Sequence, residues 1–213
     1  MESSLALRLI LVRHGESEGN ALGVLQGKLE YGLSGLGQRQ AELTAAALAS
    51  SGAERVVSSP LRRASMTAAL IAEPLKLELQ LDPALAEYDI GDASGLTPAE
   101  LRERFPELLV SRTAGQRFQF PGEEGRQVFH ARLHDALEHL RTLEGTTIAV
   151  AHGGVISAMC HMVVGLDLHR PGIFQVGNCS ITEIARDRAG RLVLARHNDM
   201  CHLQGIETTL DRG

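Results

Sequence analysis

Apolar and polar positions along this chain follow two periods. Residues 8–12, 56–57 and 147–151 form short β-branched and aliphatic runs, the composition of buried strands. Between them, residues 37–51 are rich in Ala and Leu and stop at Gly52, and residues 126–143 repeat apolar side chains at Val128, Leu133, Leu137 and Leu140. Both patterns predict helices. Thr97-Pro98-Ala99-Glu100 supplies an N-cap, a proline at the first helical position and a carboxylate two residues later, so another helix is predicted to start there. Residues 180–185 and 191–195 read as closing strands. This alternation predicts an α/β fold.

The 213 residues fit one domain, with no Pro/Gly/Ser linker, internal repeat or low-complexity tract. A chain of this size buries about 70% of its unfolded surface, so it is expected to need no disulfide or structural metal. Cys160, Cys179 and Cys201 are odd in number and widely spaced, which reads as thiols in a reducing compartment and predicts a cytoplasmic location. The apolar stretch 5–12 is broken by Arg8 and lacks a small-residue cleavage site, so no signal peptide is expected. No apolar run approaches the roughly 20 residues of a membrane helix, so no membrane partner is expected. The formal charge is −5 and Arg62-Arg63 is the one adjacent basic pair, which argues against a nucleic-acid surface. An anionic ligand must therefore be caught by local positive charge. A homodimer is allowed but not required.

The predicted strands end informatively. The first runs into Arg13-His14-Gly15, the second into Ser58-Ser59-Pro60-Leu61-Arg62-Arg63, and the third into His152-Gly153-Gly154. Ligands of open α/β sheets bind at the carboxyl ends of strands, so two arginines and two histidines are predicted to meet. Guanidinium forks pair bidentately with phosphoryl oxygens. A neutral imidazole can attack phosphorus at physiological pH, and a second can hydrogen-bond the developing charge.

LVRHGESEGN at 11–20 closely resembles the signature of the histidine phosphatase (phosphoglycerate mutase-like) superfamily. Further matching segments follow in order: QG at 26–27, LSGLGQRQA at 33–41, SSPLRRASMTA at 58–68, LAEYDIGDASG at 85–95, FPGEE at 120–124 and VAHGGVI at 150–156. The resemblance covers nearly the whole chain, to about 197–203. It implies a three-layer α/β/α sandwich with a mostly parallel central sheet. It also implies a phosphatase in which His14 is the nucleophile, Arg13 and Arg63 clamp phosphate, His152 donates to the phosphoryl oxygens, and Glu87 is the proton donor. Arg63 is preferred to Arg62 because the family's arginine precedes the small residue that Ala64 matches; Arg62 is expected to face solvent. Asn20, Gln26, Gly27 and Gly153 fall at further phosphate or substrate positions, and Gly15 is read as permitting close backbone approach to phosphate. No cofactor and no metal is implied.

Taken without the resemblance, Glu87 is one carboxylate among Glu78, Asp82, Asp89 and Asp92. His130 and His134 lie four apart but lack the glutamate of an HExxH site, His161 reads as a core or helix-surface histidine, and the glycines of GLSGLG at 32–37 read as turn residues. Phosphoglycerate mutases of the family carry RHGESxWN, and Gly19 stands at the tryptophan position here. A hydrolase of small phosphorylated metabolites is therefore favoured over a mutase, with a catalytically silent regulatory domain as the third reading. GDASG at 91–95 departs from the family at Ala93 and Ser94. Residues 97–129, with Phe105, Phe118, Phe120, Phe129, Arg112, Arg117 and Arg126, form either a lid or a subdomain packing its own aromatics.

Overall fold

Period-two alternation in the first strand builds both layers around the sheet. The computed structural model describes residues 7–108, 118–167 and 173–206. In β1 (Arg8–Arg13), Leu9 and Leu11 enter one buried cluster while Ile10 and Val12 enter another on the opposite face. β2 (Ala53–Ser58) and β4 (Thr146–Ala151) divide their apolar residues in the same way. With β3 (Leu79–Leu81), β5 (Ile181–Arg186) and β6 (Leu192–Asp199) they form one six-stranded sheet of order β3-β2-β4-β1-β5-β6. The β3–β2, β2–β4 and β4–β1 pairings are parallel, and β1–β5 and β5–β6 are antiparallel.

One face is covered by α2 (Gly35–Leu48) and α3 (Arg62–Leu75), the other by α5 (Arg126–Thr142) and α6 (Gly153–Val164). This is the three-layer sandwich expected. α5 buries Phe129, Leu133, Leu137 and Leu140, and each such side chain removed from water contributes about 1.5–3 kcal/mol. The short α1 (Glu18–Ala21) follows β1, and α4 (Pro98–Arg104) starts at the Thr97–Glu100 capping box.

Differences from the sequence reading lie where small residues open helices. α2 begins at Gly35, with Ser34 Oγ accepting from Gly37 N–H, so Gly35 and Gly37 are first-turn helix residues rather than turn residues. A Cβ at Gly37 would lie 1.9 Å from the Glu16 carbonyl oxygen, so the helix can approach β1's exit only with glycine there. α3 and α6 were not predicted as helices. Ala64, Ala68, Ile71 and Ala72 form the buried stripe of α3, and Gly165 closes α6 in the left-handed conformation.

Within 97–129, the rings of Phe105, Phe118 and Phe120 pack on one another at 5.1–5.8 Å, while Phe129 joins the main core edge-on to Tyr88. The described aromatics thus favour local packing. Arg112 and Arg117 lie outside the described residues.

Candidate active site

The carboxyl ends of β1, β2 and β4 deliver the charged side chains to one cleft of about 400 Å³. Arg13 ends β1 and His14 follows it; Arg63 lies in the first turn of α3 after β2; His152 caps α6 after β4. Parallel pairing of β1 with β4 sets Arg13 opposite Ala151, and His14 N–H donates to the Ala151 carbonyl at 3.0 Å.

His14 is 3% exposed, and its Nδ1 lies 2.7 Å from the Gly15 carbonyl oxygen. A carbonyl only accepts, so Nδ1 carries the proton and Nε2 keeps its lone pair. Burial, reinforced by the Arg13 and Arg63 charges, holds the imidazole well below the ordinary histidine range. It is neutral at physiological pH. The His152 ring sits 5.1 Å away and is also held well below that range, first by burial, then by His14 and by the Arg63 and Arg13 charges. Its Nε2 lies 2.8 Å from Ser59 Oγ.

The guanidinium groups are fixed but only partly used. Arg13 Nη1 donates to the Val176 carbonyl at 2.6 Å, and Arg63 donates through Nη1 to Leu29 O and through Nη2 to Gly27 O, both at 2.8 Å. Arg13 Nε, Arg63 Nε and His152 Nδ1 are buried without a hydrogen-bond partner among the described residues. Unsatisfied buried polar groups are rare; two of these belong to guanidinium groups that line the cleft, and the third to His152, which packs against His14 without lining it. Arg62 is exposed, as expected.

Glu87 separates from its acidic neighbours here. Its Oε2 accepts from Gly154 N–H at 3.0 Å, at the amino end of α6, and its Oε1 accepts from Tyr88 N–H at 2.8 Å. It lines the cleft with Arg13, His14 and Arg63. Asp82 instead caps a short helical turn, Asp89 accepts from Gly91 N–H, and Asp92 pairs with Arg104.

Asn20, Gln26, Gly27 and Gly153 line the same cleft. Ser17 Oγ lies 2.9 Å from Asn20 Oδ1 and 2.7 Å from Gln26 Oε1, which turns both amide oxygens toward the serine. Gly15 does not line it. Its N–H is committed to Thr67 Oγ1 at 3.0 Å, and a Cβ there would lie 2.5 Å from the Gly37 carbonyl oxygen. The close approach at Gly15 is therefore to α2, and its carbonyl serves His14. Val24, Leu25 and Ile90 form an apolar outer wall; Ala93 is buried behind it. His161 packs edge-on to Phe174, and His134 is exposed beside Asp135.

Sequence reasoning missed Asn178 and Ser59 as parts of this site. Asn178 is fully buried, and its Nδ2 donates to the His14 carbonyl at 2.9 Å, while Cys179 N–H donates to the Arg13 carbonyl at 3.0 Å. The 178–179 turn thus holds the backbone of Arg13 and His14. Its signal was a lone Asn-Cys-Ser between two strands, which local pattern does not mark.

Fold and cleft together define a class: a three-layer α/β protein presenting an imidazole among buried, unsatisfied guanidinium and imidazole nitrogens. The chain belongs to the histidine phosphatase superfamily (branch 1), whose family model matches residues 9–200. It is 34% identical over 200 residues to phosphoserine phosphatase 1 of Hydrogenobacter thermophilus, covering 92% of this chain and 94% of that protein. A probable phosphoglycerate mutase of Yersinia pestis is 31% identical over 185 residues, covering 84% of each chain. Among solved structures, a mycobacterial glucosyl-3-phosphoglycerate phosphatase complexed with VO3 superposes with a TM-score of 0.81 at 30% identity, covering 92% of this chain and 100% of that one. Named phosphatases stand among both kinds of relative, and the chain is a phosphoric monoester hydrolase of this superfamily.

Proposed function

We propose that the chain hydrolyses phosphate monoesters of small metabolites by double displacement through a phosphohistidine on His14. The observation that carries this reading is the set of three buried nitrogens, Arg13 Nε, Arg63 Nε and His152 Nδ1, left unsatisfied beside the His14 imidazole. Two guanidinium groups facing one carboxylate, Glu87, leave a positive cleft suited to a phosphoryl dianion. His14 Nε2 attacks phosphorus in line, the ester P–O bond breaks, and Glu87 gives its proton to the departing alkoxide. Water then attacks the phosphohistidine, Glu87 takes a proton from it, and inorganic phosphate leaves. The fixed donors stabilise the equatorial oxygens in both steps, the electrostatic part that dominates phosphoryl transfer.

A mutase would have to hold a phosphorylated product long enough for it, instead of water, to retake the phosphoryl group. Gly19 stands at the tryptophan position of the mutase signature, and a Cβ there would lie 2.7 Å from Gln26 Cγ and 2.8 Å from Tyr31 Cδ2, so those side chains would have to shift to admit a larger residue. Phosphoserine and phosphorylated glycerates head the candidate substrates, since related proteins bear those names. Three free cysteines support a reducing cytoplasmic setting, with the Cys160 and Cys179 thiols pushed up to about 12 by burial. The whole chain is read as one domain. A panel of phosphate esters, read for phosphate release and separately for phosphoglycerate isomerisation, tests the reading. Release without isomerisation, abolished in His14→Ala, is expected; isomerisation outpacing release would make the chain a mutase.

A further inference from the structure

One imidazole, His14, lines the cleft and a second, the fully buried His152, packs against it at 5.1 Å between ring centroids, and opposite nitrogens of the two are tied to the protein. In His14 the tied atom is Nδ1, held by the Gly15 carbonyl. In His152 it is Nε2, held by Ser59 Oγ at 2.8 Å, while Nδ1 is buried without a partner. A carbonyl dictates which nitrogen bears the proton, but a hydroxyl can donate or accept, so the His152 tautomer depends on what else surrounds Ser59.

Ser59 is fully buried, and its Oγ has one other neighbour, the Leu61 N–H at 3.3 Å. That group only donates. Ser59 Oγ therefore accepts from Leu61, and the acceptor left for its own proton is His152 Nε2. A buried hydroxyl with both roles filled is favoured over one whose proton has no acceptor. The alternative tautomer would also turn the Nδ1 lone pair toward the anion that Arg13 and Arg63 attract.

We propose that Ser59 is a positioning residue that sets the tautomer of His152, keeping its proton on Nδ1 so that the ring donates to a phosphoryl oxygen. This rests on the phosphohistidine reading above but concerns a different atom. Ser59 touches no substrate; it acts through the imidazole. The two histidines then share one tautomer for opposite purposes, His14 offering the Nε2 lone pair and His152 the Nδ1 proton.

The test is proton–nitrogen NMR of protein labelled with 15N-histidine at pH 7.5, where protonated and unprotonated ring nitrogens are well separated. Wild-type His152 should show Nδ1 protonated and Nε2 bare. Ser59→Ala should move the proton wholly or partly to Nε2 and lower kcat by about tenfold to a hundredfold, the scale of losing one oxyanion donor, with KM changing less. Ser59→Thr, which keeps the hydroxyl, should restore both signals. A wild-type spectrum with the proton on Nε2 overturns the proposal whether or not the Ala variant folds. So does a Ser59→Ala protein that keeps both the Nδ1 proton and its kcat. Failure of the underlying reading looks different: wild-type enzyme quenched in turnover would carry no phosphoryl group on His14, whatever the His152 spectrum.

Discussion

The floor and the outer wall of the cleft are built on different principles. On the floor, His14, Arg63 and His152 are buried, Arg13 is half-buried, and each is tied to a strand end, a backbone carbonyl or a neighbouring side chain. The wall is made of Val24, Leu25 and Ile90, side chains that offer the substrate only apolar surface, and Leu25 is 38% exposed. Chemistry needs fixed atoms, because a misplaced donor loses most of its value in the transition state. Accommodation of a leaving alcohol needs shape and apolar area. In the proposed mechanism the floor carries the reaction and the wall governs how tightly different alcohols are held.

The sharpest separation of floor from wall comes from Glu87. Glu87→Gln should lower kcat on alkyl phosphates by about 10²- to 10⁴-fold, the usual range for a general acid, and much less on an activated aryl phosphate whose leaving group departs unaided. Stopped-flow on the aryl substrate should show a burst of phenolate followed by slow turnover, because the same carboxylate activates water. Equal loss on both substrates without a burst would make Glu87 structural.

Next in size is the arginine pair. Arg63→Lys keeps the charge but loses the fork held by Gly27 and Leu29, and should lower kcat/KM by about 10²-fold while weakening vanadate inhibition. Arg62→Lys should stay within about twofold, since that side chain is exposed. The reverse ranking, in inhibition and kinetics together, would misplace the phosphate clamp.

Smallest is the wall. Leu25→Ala should raise KM by a few-fold for esters of bulky apolar alcohols, consistent with about 1 kcal/mol of lost contact, and leave kcat near wild type. A loss confined to kcat would place Leu25 with the floor.

This division also explains what was legible in the sequence. Arg13, His14, Arg63, Glu87 and His152 stand out because their chemistry is rare at strand ends and their order matches a family. Strands β1 and β4 and helices α2 and α5 are legible from apolar period alone. α3 and α6 escaped because each opens inside the site, on Arg62-Arg63 and Gly153-Gly154, where functional residues replace helix-start signals. β3 is three residues long on a sheet edge, too short for any period. Ser59 and Asn178 act through a second side chain or a backbone carbonyl, and only the folded geometry brings Asn178 to His14 across 164 residues. Gly15 and Gly37 carry the same lesson, since their mutual approach belongs to packing that no local pattern encodes.

The most direct measurement is the covalent intermediate itself. Enzyme mixed with an activated aryl phosphate, quenched within one turnover into alkali where phosphohistidine survives, and digested should yield one phosphoryl group on the peptide containing His14, with none in His14→Ala. Phosphate found on another residue, or turnover persisting in His14→Ala, would contradict His14 as the nucleophile.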